Sequence, residues 1–231
     1  MKHGMGLRQM MEPGYGRNLE FDERSRGYGI ARLANLDRPL RSMYWRSPIV
    51  LNQGGASSCV GCAWAHELAA VPAEVQGIEY RFAERLYEMG KERDSWDGTD
   101  YDGTSVLAVA KALVDLGYIG GYRWAFGIEQ VCGALAYEGP VVVGVPWHRD
   151  MEQVDGNGYV RATGETVAHH AVLLEQIYVP RERITLLNSW GSSWGNHGRA
   201  YISFDDLSKL LGDKGEACIP IDRNEEKLTV E

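Results

Sequence analysis

Cysteine is scarce in this chain: 231 residues contain only Cys59, Cys62, Cys132 and Cys218. Four thiols at uneven spacing are too few to staple a protein of this size, so reduced cysteines in a cytoplasm are expected. Long hydrophobic runs are also missing. The most apolar stretch, PVVVGVPW from Pro140 to Trp147, is far shorter than a bilayer span. No continuous apolar segment follows the single Lys near the N-terminus, which excludes a secretory signal of the usual pattern. There is no surplus of cations either. With 24 Lys and Arg against 32 Asp and Glu, a formal net charge of -8 and a pI of about 5.3, the clustered basic footprint of a nucleic-acid binder is missing. No internal repeat, low-complexity tract or Gly-rich phosphate loop occurs, and the acidic stretch DSWDGTDYDG (Asp94 to Gly103) lacks the alternating ligand pattern and distal Glu of a calcium loop. Membranes, nucleic acids, metals and cofactors are therefore not expected partners.

The 44% hydrophobic content suffices for a substantial core. Residues 1 to 44, rich in Gly, Arg and Pro, keep no helical or strand period and read as an arm packed on the rest. Helices are expected from about Cys59 to Val71, where Pro72 stops the first, across EYRFAERLYEMG, TSVLAVAKALVDLG and GIEQVCGALAYEG, and late in the chain at DDLSKLLG. Ser57 or Ser58 would cap the first, and Ser105 the third. From Pro140 onward the pattern changes to short β-branched runs, PVVVGV, HAVLLEQIYV, RITLLNSW and RAYISF, with Cys218 in a further buried strand position. The expected class is α+β, with a helical lobe over residues 45–126, a β-rich lobe over 127–231, and a ligand cleft at their interface.

Three segments could carry chemistry. LNQGGASSCVGCAWA holds Cys59 and Cys62, AHHAV holds His169 and His170, and NSWGSSWGNHG begins at Asn188. The cysteine pair by itself admits a zinc clip, a redox pair or a nucleophile. Zinc would need a second pair at matching spacing, and a redox pair a βαβ context; the sequence supplies neither. A thiol nucleophile needs a base within hydrogen-bond reach and a group that orients the base, and the three segments supply Cys, His and an amide in that order. Because side chains alternate along a strand, only one of His169 and His170 can face a thiol.

Together, Gln53 six residues before Cys59, the His-Ala-Val at His170 and the Asn-Ser-Trp-Gly-x-x-Trp-Gly beginning at Asn188 resemble the papain family of cysteine peptidases, from about Trp45 to Ala217. The resemblance implies an N-terminal helical lobe and a C-terminal antiparallel β-barrel-like lobe with the active site in the cleft between them. It implies Cys59 as nucleophile, His170 as its partner, Asn188 as the group orienting the imidazole and Trp190 as a shield over that bond. Gln53 and the Cys59 backbone N–H would bind the oxyanion. Gly103 would meet an extended polypeptide substrate, and Gly144 and Ala168 would flank an apolar side-chain pocket. Cys62 is then a core bystander and His169 a rim residue. A cysteine in the first helical turn next to an imidazolium is expected as a thiolate in a partly wetted cleft.

The match has departures. Ala56-Ser57-Ser58-Cys59-Val60 stands where the family usually has Cys-Gly-Ser-Cys-Trp, so the upstream disulfide cysteine and the adjacent Trp are missing. The short span from Cys59 to His170 implies trimmed loops, as in compact bacterial and phage members, which would make the protein virion-associated or host-cytoplasmic if phage-encoded. The arm is too short and irregular for the helical inhibitory propeptide of many relatives. The implied activity is hydrolysis of peptide bonds through a thioester. The alternatives are a catalytically silent peptide-binding or assembly module, and an acyl transferase or amidase on the same triad.

Overall fold

Helix periodicity and strand alternation combine into a sheet with helices on both faces, seen in a computed structural model that describes residues 14–20, 29 and 38–230. The rest of the expected 1–44 arm lies outside the described residues. The element order is β1 (Met43–Tyr44), α1 (Cys59–Ala69), α2 (Tyr80–Lys91), α3 (Val106–Asp115), β2 (Ile119–Ala125), α4 (Ile128–Tyr137), β3 (Val141–His148), β4 (Thr166–Tyr178), β5 (Arg183–Leu187), β6 (Arg199–Ser203), α5 (Phe204–Gly212) and β7 (Glu216–Arg223). The strands pair antiparallel in the order β2-β7-β3-β4-β5-β6, with β1 on β4. Edge strands β2 and β6 do not pair with each other, so the sheet is open. The barrel-like closure implied by the resemblance is corrected on this point.

Alternation along the strands divides the core. Val142, Ala171, Leu173 and Cys218 face a cluster built with Trp64, Leu68, Leu86 and Leu113 of α1, α2 and α3. Val141, Val143, Val145, Val172 and Leu174 face the opposite cluster, which includes Val131 and Leu135 of α4 and Leu207 and Leu210 of α5. Helix α1 is buried along its whole length. Its Trp64 indole donates to the Val106 carbonyl at 3.1 Å, tying α1 to α3. Glu67 meets the Arg223 guanidinium at 2.8 and 3.0 Å, tying α1 to β7. His66 is also fully buried, and its Nε2 accepts the Leu51 N–H at 3.0 Å.

Capping follows expectation once and departs from it once. Ser105 caps α3 by accepting the Ala108 N–H at 2.9 Å. Ser58 occupies the N-cap of α1, but its hydroxyl pairs with the Tyr80 hydroxyl at 2.9 Å and makes no cap bond. The first-turn N–H groups of α1 are thereby left without a cap from Ser58, at the end of the helix that carries Cys59.

Gly61 lets α1 lie directly on α2, because a Cβ there would overlap the Ala83 carbonyl oxygen. Gly61→Ala is expected to lower unfolding free energy by about 1–3 kcal/mol, read from urea denaturation. Burial pushes the His66 pKa down to about 3, so the folded protein keeps this ring neutral while the unfolded chain protonates it below about 6.5. Stability from His66 is therefore lost as pH falls. His66→Gln, which keeps an acceptor for Leu51, should gain stability relative to the unsubstituted chain between pH 6.5 and 4 in parallel urea titrations.

Candidate active site

Cys59 opens α1 and His170 lies on β4 opposite Val145 of β3. Asn188 follows β5 directly, and both His170 and Asn188 are fully buried. The loop before α1 is zipped to the Asn188 segment by backbone bonds: Gln53 N–H donates to Ser189 O at 2.8 Å, and Gly191 N–H to Leu51 O at 3.0 Å. These bonds hold the helix that carries Cys59 against the sheet.

Asn188 Oδ1 lies 2.8 Å from His170 Nε2 and 2.8 Å from the Ser189 N–H. A backbone N–H can only donate, so the amide atom between the two is the oxygen, and His170 Nε2 carries the proton. In the neutral ring Nδ1 is then the basic nitrogen, and it is buried with no hydrogen-bond partner. Trp190 stacks on the imidazole at 5.0 Å, with Trp147 edge-on at 4.9 Å. The Cys59 sulfur is hydrogen-bonded by the backbone of Ala171, the residue after His170. His169 is exposed, on the other side of the strand.

Gln53 is 3% exposed, its amide oxygen accepting from the Ser189 hydroxyl and its nitrogen donating to the Ala56 carbonyl, each at 2.5 Å. One amide proton remains for another acceptor. The Gly103 N–H donates to the Tyr87 hydroxyl at 3.2 Å, and the edge next to it is offered by Thr104. Ala168 sits opposite Trp147 in the β3–β4 ladder, and Gly144 opposite Ala171 on one side and Glu216 on the other. Cys62, Cys132 and Cys218 are all buried.

A segment of the chain itself covers the cleft. Gly14 N–H donates to Gly54 O at 3.0 Å, and Gly14 O accepts from the Trp190 indole at 3.1 Å. The Tyr15 ring stands edge-on to both His170 and Trp190 at 5.6 Å, and its hydroxyl donates to Glu152 at 3.0 Å. Gly16 lies flush on the Ser57 backbone, where any Cβ would overlap it. Arg17 pairs with Thr104 as a short parallel bridge, Thr104 N–H donating to Gly16 O and Asn18 N–H to Thr104 O. The sequence marks residues 14–18 only as part of an arm. Tyr15 and Trp147 also escape sequence reading, because neither belongs to a chemical motif, and Ser189 lies inside the Asn-Ser-Trp-Gly motif without a role assigned to it.

This cover changes the electrostatics expected of the site. Burial pushes the Cys59 thiol up to about 12, outweighing the backbone N–H groups that favour thiolate, and pushes His170 down to about 4 despite its bond to Asn188. Both shifts favour the uncharged forms and oppose the ion pair expected from a helix start in a partly wetted cleft, because burial penalises charge. The space beside Gly144 departs from expectation as well. It contains the Arg17 guanidinium and the Glu216 carboxylate, so it is charged where an apolar pocket was expected.

Among the described residues no group of three or more His, Cys, Asp or Glu could hold a metal ion, and no helix is long and apolar enough to cross a membrane. No protein-family model matches this sequence, and no curated protein does. Solved structures do match. The chain is similar to xylellain, a cysteine protease from Xylella fastidiosa (16% identity, 95% of this chain and 100% of that one, TM-score 0.59). It is similar to digestive procathepsin L 3 of the Tenebrio molitor larval midgut (18%, 92% and 77%, 0.60) and to the bromelain protease of Ananas comosus (18%, 80% and 100%, 0.59). The chain has the fold of papain-like cysteine proteases.

In the unsubstituted chain Cys59 should react with iodoacetamide more slowly than a free cysteine peptide at pH 7. The rate should rise about tenfold per pH unit toward pH 10, as expected for a thiol titrating above that range. Gly16→Val, which cannot lie flush on Ser57, should raise the neutral-pH rate at Cys59 while Cys62 and Cys218 stay unlabelled in peptide mass maps.

Proposed function

We propose that this chain is a cysteine peptidase that hydrolyses peptide bonds through a thioester on Cys59. The observation that carries the reading is the tautomer argument: Asn188 fixes the proton on His170 Nε2 and leaves Nδ1 as a buried, unpartnered base beside the residue whose backbone meets the Cys59 sulfur. Without a nucleophile to serve, an orphaned buried nitrogen is a cost.

In the proposed cycle the Cys59 thiol passes its proton to His170 Nδ1 as sulfur attacks the substrate carbonyl. The developing oxyanion accepts from the Cys59 backbone N–H and from the remaining Gln53 amide proton, donors aimed where charge appears. Collapse breaks the C–N bond, the imidazolium returns its proton to the leaving amine, and the acyl group stays on sulfur as a thioester. His170 then takes a proton from water, hydroxide adds to the thioester, and the thiol leaves protonated. Asn188 holds the ring through both transfers, and Trp190 keeps competing water from that bond. An extended polypeptide would lie along the edge now taken by residues 14–18, close to Gly103, with Gly144 and Ala168 along its path.

Bromelain of known structure holds the inhibitor E64, and a thiol-reactive epoxide of that type suits the test. In the Gly16→Val chain the epoxide is expected to modify one residue, Cys59, and labelling should fall at least about a hundredfold in His170→Ala, the usual scale of losing a positioned base. Adding Cys59→Ala should abolish cleavage of a denatured protein substrate followed by mass spectrometry. Cleavage that survives the loss of Cys59 would sink the mechanism.

A further inference from the structure

The side chain of Arg17 is entirely buried, and every partner of its guanidinium belongs to the body of the protein. Nε donates to Glu216 Oε1 at 2.9 Å, Nη2 donates to the Lys214 carbonyl at 2.9 Å, and Nη1 approaches His169 Nδ1 at 3.4 Å. The Arg17 N–H also donates to His169 O at 3.4 Å. Glu216 is the first residue of β7 and pairs with Gly144 of β3, so its carboxylate projects over the one position in that ladder with no side chain. A Cβ at Gly144 would come within 2.7 Å of Arg17 Nε and 3.0 Å of Glu216 Oε1. The space exists because residue 144 is glycine, and it is cut to a planar, forked cation.

The strand that delivers Arg17 is held almost wholly by backbone. Thr104 brackets it from one side, His169 O from the other, and Gly16 rests on Ser57. An extended polypeptide of other sequence could make the same ladder, so the features specific to side chains are the Tyr15 contacts, the Asn18 amide that donates to Asp102 O at 3.0 Å and the Arg17 pocket. When residues 14–18 leave, Glu216, whose side chain is 12% exposed with Arg17 in place, loses the cation that its carboxylate meets. Burial already raises its pKa and Arg17 opposes that rise, so a vacant pocket favours re-occupation by a positive group.

We infer that the recess formed by Gly144, His169, Lys214 O and Glu216 is a specificity pocket for an arginine side chain of the polypeptide substrate, with Glu216 as the selecting residue and Arg17 as the chain's own occupant. This deepens the peptidase reading and rests on it for the identity of the cleft. Arginine fits better than lysine, since three separate acceptors surround the fork and an ammonium on a flexible stem reaches fewer of them. The neutral His169 required as an acceptor is consistent with the lowering of its pKa, by burial first and by Arg17 next.

The test uses the full chain carrying Gly16→Val to lift the covering segment and Cys59→Ala to prevent cleavage. A fluorescein-labelled copy of residues 14–20 is titrated by anisotropy, beside copies with Leu or Lys in place of the Arg. The Arg copy is expected to bind about 10- to 100-fold more tightly than the Leu copy, the scale of a charge-assisted hydrogen-bonded pair, with Lys between them. Glu216→Gln should remove most of that difference and leave the Leu copy unchanged. Equal binding of Arg and Leu copies, discrimination that survives Glu216→Gln, or no binding of any copy would overturn the proposal. If Gly16→Val does not fold by circular dichroism, Gly14→Ala, whose Cβ would overlap the Ala56 carbonyl oxygen, lifts the same segment by a smaller clash and carries the same titrations. With Cys59 intact, cleavage of a mixed peptide library separates the two readings. Arg-selective binding without hydrolysis removes the peptidase reading and keeps the pocket; hydrolysis with no basic residue at a fixed position keeps the peptidase and removes the pocket.

Discussion

A slip of one residue in the β3–β4 ladder would exchange His169 for His170 and turn the imidazole that meets Asn188 out to solvent. The slip is prevented by the cores on the two faces of the sheet. Val141, Val143, Val145, Val172 and Leu174 are buried on one face, and Val142, Ala171 and Leu173 on the other, so any shift would exchange the contents of two packed clusters. The same register sets Gly144 beside Ala171 and, through β7, beside Glu216. Base, thiol contact and charged recess are therefore placed by one pattern of backbone hydrogen bonds.

Water is the second determinant. The candidate triad lies under aromatic rings from three directions, Trp190, Trp147 and Tyr15, and with the last in place burial pushes the thiol pKa up and the imidazole pKa down, both toward the uncharged form. Helix-terminal N–H groups at α1 favour a thiolate, but their influence is modest beside the cost of desolvating one. The two expectations describe different states of one site: a helix start that favours ionisation when wet and forbids it when dry.

Much of this was legible in the sequence. All five helices follow from apolar stripes such as Val131, Cys132, Leu135 and Ala136, and β3 to β6 follow from β-branched runs. Strand β2 was hidden by its two glycines and mixed polarity, whereas β7 was marked by Cys218 despite Pro220. That proline is tolerated because β7 pairs with β3 only from Glu216 to Cys218, leaving its flank on that side free at residue 220. Local pattern also pointed to Ser58 as a cap, but a tertiary partner, Tyr80, took the hydroxyl instead. The Arg17 recess could not be read at all. Its members, Arg17, Gly144, His169, Lys214 and Glu216, come from four distant segments, and nothing in their local sequence couples them.

The covering segment has one more property, contained in its carbonyl groups. Two carbonyl oxygens of the segment are already engaged, Gly14 O by the Trp190 indole and Gly16 O by the Thr104 N–H, and neither donor belongs to the proposed oxyanion site. A backbone fastened in this way fills the cleft without presenting an electrophile to the sulfur. Under the proposed mechanism the molecule would hold its own chain in the cleft uncleaved, and the onset of activity would be set by how long two glycines, a tyrosine and an arginine stay in place.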